Sequence, residues 1–586
     1  MTITPSSVPS IPVSERHDHR HAILCALLVA CAVLISWPFA EVGRNDDWSY
    51  AQSTLELLRT GKLVYNGWST AMLGAQAYWG AAIIKLFGFS FTALRLGVLP
   101  STCWTVAILY LLVRRVGATA SVAVMAALTV GLSQLVIECA ATYSTDLPAL
   151  FCFTFALHQI ARSLDENRTK PAQIVMPLLL AATVGYAGGS IRQVYWLMPF
   201  VGLSYAAWVR RREPVNVTLT LLLLAGVAIA MLATEAWSHA QPFFIPEYFH
   251  AMVVVFAGGF PRTLLPAITL GMTITLFALP MIVGSWPAQR QPGSPFVQGI
   301  GVCAGAVAVW WAGRDALAPW LGNLVTEYGI MYRGQDAIGD QPQVIPDPVR
   351  LVLTLVCSAA AARLLWLLFR SLSRLTRTAL QGKLPHVLCI SALFAVPYTG
   401  LILFRGPAFS MSDRYTLPLT ATLCLWLSWL CAQRRLTRPV PAGWSLLAIV
   451  ALFGIAVTHD EFAATRARLR AAAALTDRGV PRTAITAGVD YDAWTQLQKV
   501  GYVNDARIVN PPNIFVPHPR SVPVGRTDYW FWEWAPLVRP DYFVVDTLQP
   551  DLENLPGMTF PYRAWLPPFE RAAYVQKRPA GWVIPW

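Results

Sequence analysis

The stretch Glu41-Val-Gly-Arg-Asn-Asp-Asp-Trp-Ser-Tyr-Ala-Gln52 follows directly on the first long apolar run of the chain, Ala22 to Ala40. Two adjacent carboxylates, Asp46 and Asp47, therefore stand where hydrocarbon gives way to water. Acidic side chains at a membrane segment are costly, though less at its end than at its centre, and they point to function by default. The competing reading is a helix cap, because an Asp ahead of a helical Trp48 to Thr60 can accept first-turn N–H groups and suits the helix dipole.

The rest of the chain gives that stretch its setting. Of 586 residues, 55% are hydrophobic and 13% charged, with mean hydropathy +0.47, which describes a mainly α, polytopic membrane protein. A net charge of +13 would suggest nucleic acid in a soluble domain. Here the basic residues sit in short clusters between apolar runs and report topology, so no nucleic acid partner is expected. All ten cysteines lie in or beside apolar runs, and neither a disulfide framework nor a thiolate metal site is implied.

A membrane helix needs roughly 20 mainly apolar residues. About thirteen runs qualify or nearly so, near 22–40, 93–113, 119–138, 145–161, 173–189, 193–209, 216–235, 264–284, 297–312, 349–369, 386–404, 415–432 and 442–458. With a cytoplasmic N-terminus, every rich basic cluster, such as Arg114-Arg115, Arg210 to Arg212 and Arg434-Arg435, falls on one side, as the positive-inside rule requires. That parity treats residues 71–89 as an interfacial helix and not as a fourteenth span. The expected organisation is a flexible cytoplasmic terminus 1–21, a membrane domain 22–458 with the acidic loop 41–92, and an extracytoplasmic α/β domain 459–586. In that last domain the β-like stretches are Thr483 to Val489, Tyr542 to Asp546 and Ala573 to Val583, with helix over Asp492 to Val500. Gly185 and Gly188-Gly189 are spaced for close helix packing.

Three elements on the outer face carry a family resemblance. They are Asp46-Asp47-Trp-Ser-Tyr50-Ala with Asn66-Gly67 and Tyr78-Trp79 beyond it, Tyr143-Ser-Thr-Asp146 opening the fourth span, and Ser412-Asp-Arg414-Tyr415-Thr-Leu-Pro418 opening a late one. In order and topology they resemble the polytopic GT-C glycosyltransferases, in particular the group of aminoarabinose transferases of lipid A, protein O-mannosyltransferases and lipopolysaccharide galacturonosyltransferases. The aminoarabinose transferases carry a Lys-Pro-Pro element where this chain has Met72-Leu-Gly-Ala75, so the resemblance does not specify the acceptor. It implies a GT-C-like membrane domain in a bacterial inner membrane. The implied activity is transfer of a sugar from a polyprenyl-phosphate donor to a hydroxyl of an envelope lipid, glycan or protein on the extracytoplasmic face.

In such a reaction a carboxylate takes the proton of the attacking hydroxyl, and Asp46 is the first candidate, Asp47 the second, with Asp146 as orienting group. The departing lipid phosphate calls for guanidinium groups, which bind phosphate oxygens in pairs. Arg192 is the best placed, with Arg405 and Arg414 as alternatives, each of which also reads as an interfacial anchor. Tyr50, Tyr143, Gln193, Tyr415, Glu247 and His250 are candidate lining residues for the substrate cavity, although a His in an aromatic loop is more often only a surface residue. No spacing of His, Asp or Glu demands a metal or cofactor, and a divalent cation held by Asp46 and Asp146 is compatible with the same residues. The aromatic run Tyr529 to Trp534 reads as domain core or a docking surface before a sugar platform.

The rival function is a transporter or flippase of a lipid-linked saccharide. Transporters favour inverted repeats, Gly/Pro-broken spans and ionisable residues near the midplane, whereas most acids here lie at outer helix ends. The discriminating feature is whether Asp46, Asp146 and Arg192 share one outer site or are strung along a pore.

Overall fold

The computed structural model describes residues 15–68, 70–165, 167, 170–245, 260–289, 318–331, 334–404, 411–503 and 525–582. The first eleven helices are α1 Glu15–Ile35, α2 Asp47–Thr60, α3 Gly74–Phe87, α4 Phe91–Leu96, α5 Leu99–Arg115, α6 Ala120–Gly131, α7 Gln134–Ala140, α8 Asp146–Ser163, α9 Pro171–Ile191, α10 Leu197–Val209 and α11 Pro214–His239. Long helices follow at Phe260–Gly284, Asp347–Leu380, His386–Phe404, Leu417–Gln433 and Pro441–Thr476. Among the described residues nine helices are long and apolar enough to cross a membrane, or ten if α6 and α7, bent by 60°, form one broken span. The chain is an integral membrane protein, mainly helical with a small C-terminal sheet.

Of the thirteen expected runs, nine are such helices; three others differ for physical reasons and one lies outside the described residues. The span expected at 145–161 is α8, whose Asp146, His158, Gln159 and Arg162 make it too polar to qualify. That expected at 193–209 is a 3-10 turn followed by the 13-residue α10. The run 119–138 breaks where Ser133 accepts the Val136 N–H and starts α7 afresh. The run 297–312 lies outside the described residues. Helix α3 has 14 residues, about 21 Å of helix against a hydrocarbon core of roughly 30 Å, and is too short to span.

The loop after α1 is tied down by its own side chains. Helix α2 ends at Gly61, whose φ of 71° is the left-handed conformation that glycine adopts without strain. Asn66 accepts from Ser49 Oγ and donates to the Ser49 carbonyl, both at 2.8 Å, so the turn before Gly67 is clamped to α2. Behind it Arg95, 1% exposed, donates to Asp47 Oδ2 at 3.0 Å and to the carbonyls of Ala40 and Val42.

The last helix, Pro441–Thr476, has 36 residues and a length of about 54 Å, so it rises well beyond the hydrocarbon. It runs unbroken through 459, the expected start of the outer domain. Its Ala-rich end, with Ala467, Ala471, Ala472 and Leu475, packs against a sheet of order β1-β2-β4-β3, formed by β1 Ile485–Thr486, β2 Tyr542–Val545, β3 Glu553–Arg563 and β4 Glu570–Lys577. Strand β3 is not evident in the sequence because Pro556, Gly557 and Pro561 interrupt it; it lies at the sheet edge, where a missing N–H is tolerated.

A buried ionic network joins the first loop to this C-terminal region. Arg44, 0% exposed, donates to Glu461 at 2.6 Å, to Glu138 at 3.3 Å and to Asp336 at 3.4 Å. Arg468 holds Asp336 at 2.5 Å and Asp546 at 3.2 Å. Each guanidinium is shared by several carboxylates, so removal of one leaves charges buried without a partner, at a cost of about 3–5 kcal/mol. Arg44→Ala is therefore expected to lower the thermal midpoint of the detergent-solubilised protein sharply, while Arg59→Ala, an exposed pair with Glu56, leaves it within a degree or two.

Candidate active site

Four helix ends meet at one end of the bundle: the loop after α1, the start of α8, the end of α9 and the start of Leu417–Gln433. Each contributes one charged side chain. Arg414 Nη1 lies 2.8 Å from Asp46 Oδ2 and 3.8 Å from Asp146 Oδ2, and Arg192 Nε lies 3.4 Å from Asp146 Oδ1. The result is a row of alternating charge, Asp46–Arg414–Asp146–Arg192. Side-chain exposures of 13% for Asp46 and Arg414, 12% for Arg192 and 4% for Asp146 make the row largely buried, with three of its members partly reached by solvent.

Local chain geometry delivers each group. Asp46 is the N-cap residue of α2, yet with φ −98° and ψ −1° its side chain makes no cap hydrogen bond, so the capping role does not account for it. Its carboxylate instead accepts from Arg414, from Trp68 Nε1 at 2.8 Å and from the Tyr50 hydroxyl at 3.2 Å. Arg192 terminates α9, which seats tightly because Gly188 and Gly189 face Cys152 and Trp196 at distances no added Cβ would fit. Its guanidinium donates to Thr145 Oγ1 at 2.7 Å and lies 5.2 Å from the centre of the Tyr415 ring. Arg414 is presented by a 3-10 turn that Asp413 fixes by accepting from the Leu324 and Val325 N–H groups. Gln193 reaches the Thr70 carbonyl at 2.7 Å and ties the end of α9 to the first loop.

Burial acts to raise the Asp46 carboxyl, but the Arg414 charge, the Trp68 N–H and Arg192 outweigh it and hold the group below the usual carboxylate range. Asp46 is thus ionised throughout the neutral range. Two polar atoms in the row, Asp146 Oδ2 and Arg414 Nε, have no hydrogen-bond partner among the described residues. An unmade buried hydrogen bond is expensive, so one acceptor and one donor stand ready for a ligand.

Not every expected residue belongs to this row. Asp47, 1% exposed, is spent on Arg95 and on the Tyr143 N–H at 2.7 Å. Burial, the largest effect on it, pushes its carboxyl up to about 6. Tyr143, also 1% exposed, donates its hydroxyl to the Gln76 carbonyl at 2.9 Å. Both are bonded within the loop and its surroundings, and neither is a member of the charged row. Glu247, His250 and Arg405 lie outside the described residues. Trp68 was not singled out in the sequence, although its place after Asn66-Gly67 is the available clue: Gly67, at φ 80°, turns the chain so that the indole faces back to Asp46. Among the described residues no group of three or more His, Cys, Asp or Glu is placed to hold a metal ion.

No family model matches the chain, and no curated protein matches it. Among solved structures, ArnT from Cupriavidus metallidurans bound to undecaprenyl phosphate aligns at 13% identity and TM-score 0.38, over 96% of this chain and 99% of that one. The same protein in the apo state aligns at 16% identity and TM-score 0.33, over 76% and 80%. The S. cerevisiae protein O-mannosyltransferase Pmt1-Pmt2 complex bound to the sugar donor aligns at 15% identity and TM-score 0.32, over 41% of this chain and only 36% of that one. Superpositions this loose carry no residue roles across.

The two acids of the opening motif should separate by experiment. Asp47→Ala leaves Arg95 buried beside an empty site and is expected to destabilise the fold by about 3–5 kcal/mol, read as a fall in the melting midpoint. Asp46→Asn, at a partly open position, is expected to insert and melt close to wild type.

Proposed function

We propose that the chain is a GT-C-type glycosyltransferase. It transfers a sugar from a polyprenyl-phosphate donor to a hydroxyl of an envelope lipid, glycan or protein, at the extracytoplasmic face of a bacterial inner membrane with the N-terminus inside. The observation that carries the reading is the alternating row Asp46–Arg414–Asp146–Arg192 at one end of the bundle. Three of its members, Asp46, Asp146 and Arg414, come from separate sequence elements that resemble one family in order and topology, and Arg192 joins them from the end of α9. A row gathered at one end also fits a surface reaction centre better than a transport path, in which ionisable groups would be strung through the bundle.

The chemistry follows from the charges. The acceptor hydroxyl attacks the anomeric carbon, the bond from that carbon to the phosphate oxygen breaks, and the hydroxyl proton passes to Asp46, which is ionised and partly exposed. The charge left on the lipid phosphate is met by Arg192 and Arg414, whose like charges lie close together and are stabilised by an anion between them. The unpartnered Nε of Arg414 suits a phosphate oxygen, and the unpartnered Oδ2 of Asp146 suits a sugar or acceptor hydroxyl. No step calls on a cofactor.

Deletion of the protein is expected to remove one glycan from the cell envelope, detected by mass spectrometry, and the wild-type chain to restore it. Asp46→Asn, at equal membrane abundance, is expected to reduce transfer by roughly 10²–10⁴-fold, the usual contribution of a placed general base. Full restoration by Asp46→Asn would sink its assignment as base. Arg414→Gln is expected to raise the donor KM as well as lower kcat. Activity is expected to survive EDTA, and a loss reversed by a divalent ion would instead place a bridging cation between Asp46 and Asp146.

A further inference from the structure

Among the described residues Asp46 Oδ1 accepts from the indole N–H of Trp68 at 2.8 Å, while Oδ2 is shared by Arg414 and Tyr50. The two oxygens therefore differ in what fixes them. Arg414 is also the group suited to a phosphate, and a guanidinium drawn toward a ligand loosens its hold on Oδ2. Trp68 has no such second task and keeps the carboxylate aimed whether or not the phosphate is bound.

Trp68 is itself held from outside. Its ring lies 4.9 Å from that of Trp48 on α2, and 5.6, 5.5 and 6.3 Å from the rings of Phe531, Trp534 and Trp530. The contacts with Phe531 and Trp534 are edge-to-face, at 70° and 88°, the arrangement aromatic quadrupoles favour. Phe531 is fully buried, and the neighbouring Tyr529 hydroxyl donates to the Asp336 carbonyl at 2.8 Å. The aromatic run of the outer domain is thus built onto the loop that carries the carboxylate.

We propose that Trp68 is a positioning residue for Asp46, and that the outer domain, through Phe531 and Trp534, sets where its indole points. The inference rests on the reading of Asp46 as the reacting carboxylate, but its structural content does not. The groups facing Asp46 are Arg414 and Tyr50, with Arg192 and Asp146 behind Arg414 and Asp47 next in the chain. Among these Trp68 is a neutral donor to the ionised carboxylate. Its loss disfavours that form, so the carboxyl titrates at higher pH and the acid limb of activity moves upward.

The test uses the full chain in detergent and infrared difference spectra recorded across pH. The carboxylic C=O band that is missing from Asp46→Asn identifies Asp46. In Trp68→Phe, which keeps a ring and removes the N–H, the midpoint of that band is expected to rise by about one unit or more, with an unchanged melting midpoint. Phe531→Leu, which keeps the core apolar but loosens the clamp, is expected to move it the same way by less. An unmoved band in Trp68→Phe overturns the positioning role, and movement in Trp68→Phe without any in Phe531→Leu or Trp534→Leu overturns the clamp. In the envelope-glycan assay Trp68→Phe is expected to lose about tenfold or more in transfer. A shifted band together with full transfer by Asp46→Asn would leave the positioning intact and overturn the reading of Asp46 as base.

Discussion

Arg414 and Asp46 stand 2.8 Å apart across 368 residues of sequence, and much of the architecture serves that pair. Bringing them together requires the loop after the first helix and the start of Leu417–Gln433 to end at the same level of the bundle. Asp413 fixes the second of these through backbone N–H groups of the 324–325 segment. Arg95 fixes the first by gathering Asp47 and two backbone carbonyls behind the loop. The pair is therefore braced on each side by a buried charged residue.

The C-terminal region completes this bracing instead of standing apart from it. Arg44, two residues before Asp46, is anchored to Glu461 on the long last helix and to Asp336 on the segment before Asp347–Leu380. Trp68, whose indole reaches Asp46, is packed under the aromatic run of 530–534. Burying this many charges adds little net stability, since desolvation consumes most of the Coulomb gain. What such networks do provide is discrimination between arrangements, because any slippage leaves a charge unpaired in a low dielectric. We read the Arg44 network as setting the register of the loop against the domain; a variant replacing Arg44, Glu138, Asp336 and Glu461 together with apolar residues, if it folded with Asp46 in place, would refute that reading.

Much of this was legible in the sequence. Apolar runs of about 20 residues interrupted by basic clusters announce membrane helices, and Asn66-Gly67 announces a turn, because lipid and left-handed backbone each tolerate few residue types. The site was partly legible for the same reason: Asp46, Asp146, Arg192 and Arg414 are charged residues at helix ends, where charge is costly enough to be noticed. Less visible were strand β3, broken by prolines at a sheet edge, and the break between α6 and α7, where hydrophobicity continues across the bend. The sequence ranks Asp46 ahead of Asp47, but as adjacent acids with the same cap-like position they carry no sign of the different partners each one meets.

What the sequence determined by itself is the material: a chain that must dissolve in lipid, with its helix-end charges distributed over distant segments. Tertiary structure alone decided which of two neighbouring aspartates is sealed against Arg95 and which is left at the edge with Arg414. It also decided that Arg44 is buried while the chemically identical Arg59 is not, and that an unremarkable Trp68 holds a carboxylate. The physical reason is that the role of a charged group is set by its partners and its exposure to solvent, and both are properties of residues brought together from hundreds of positions apart.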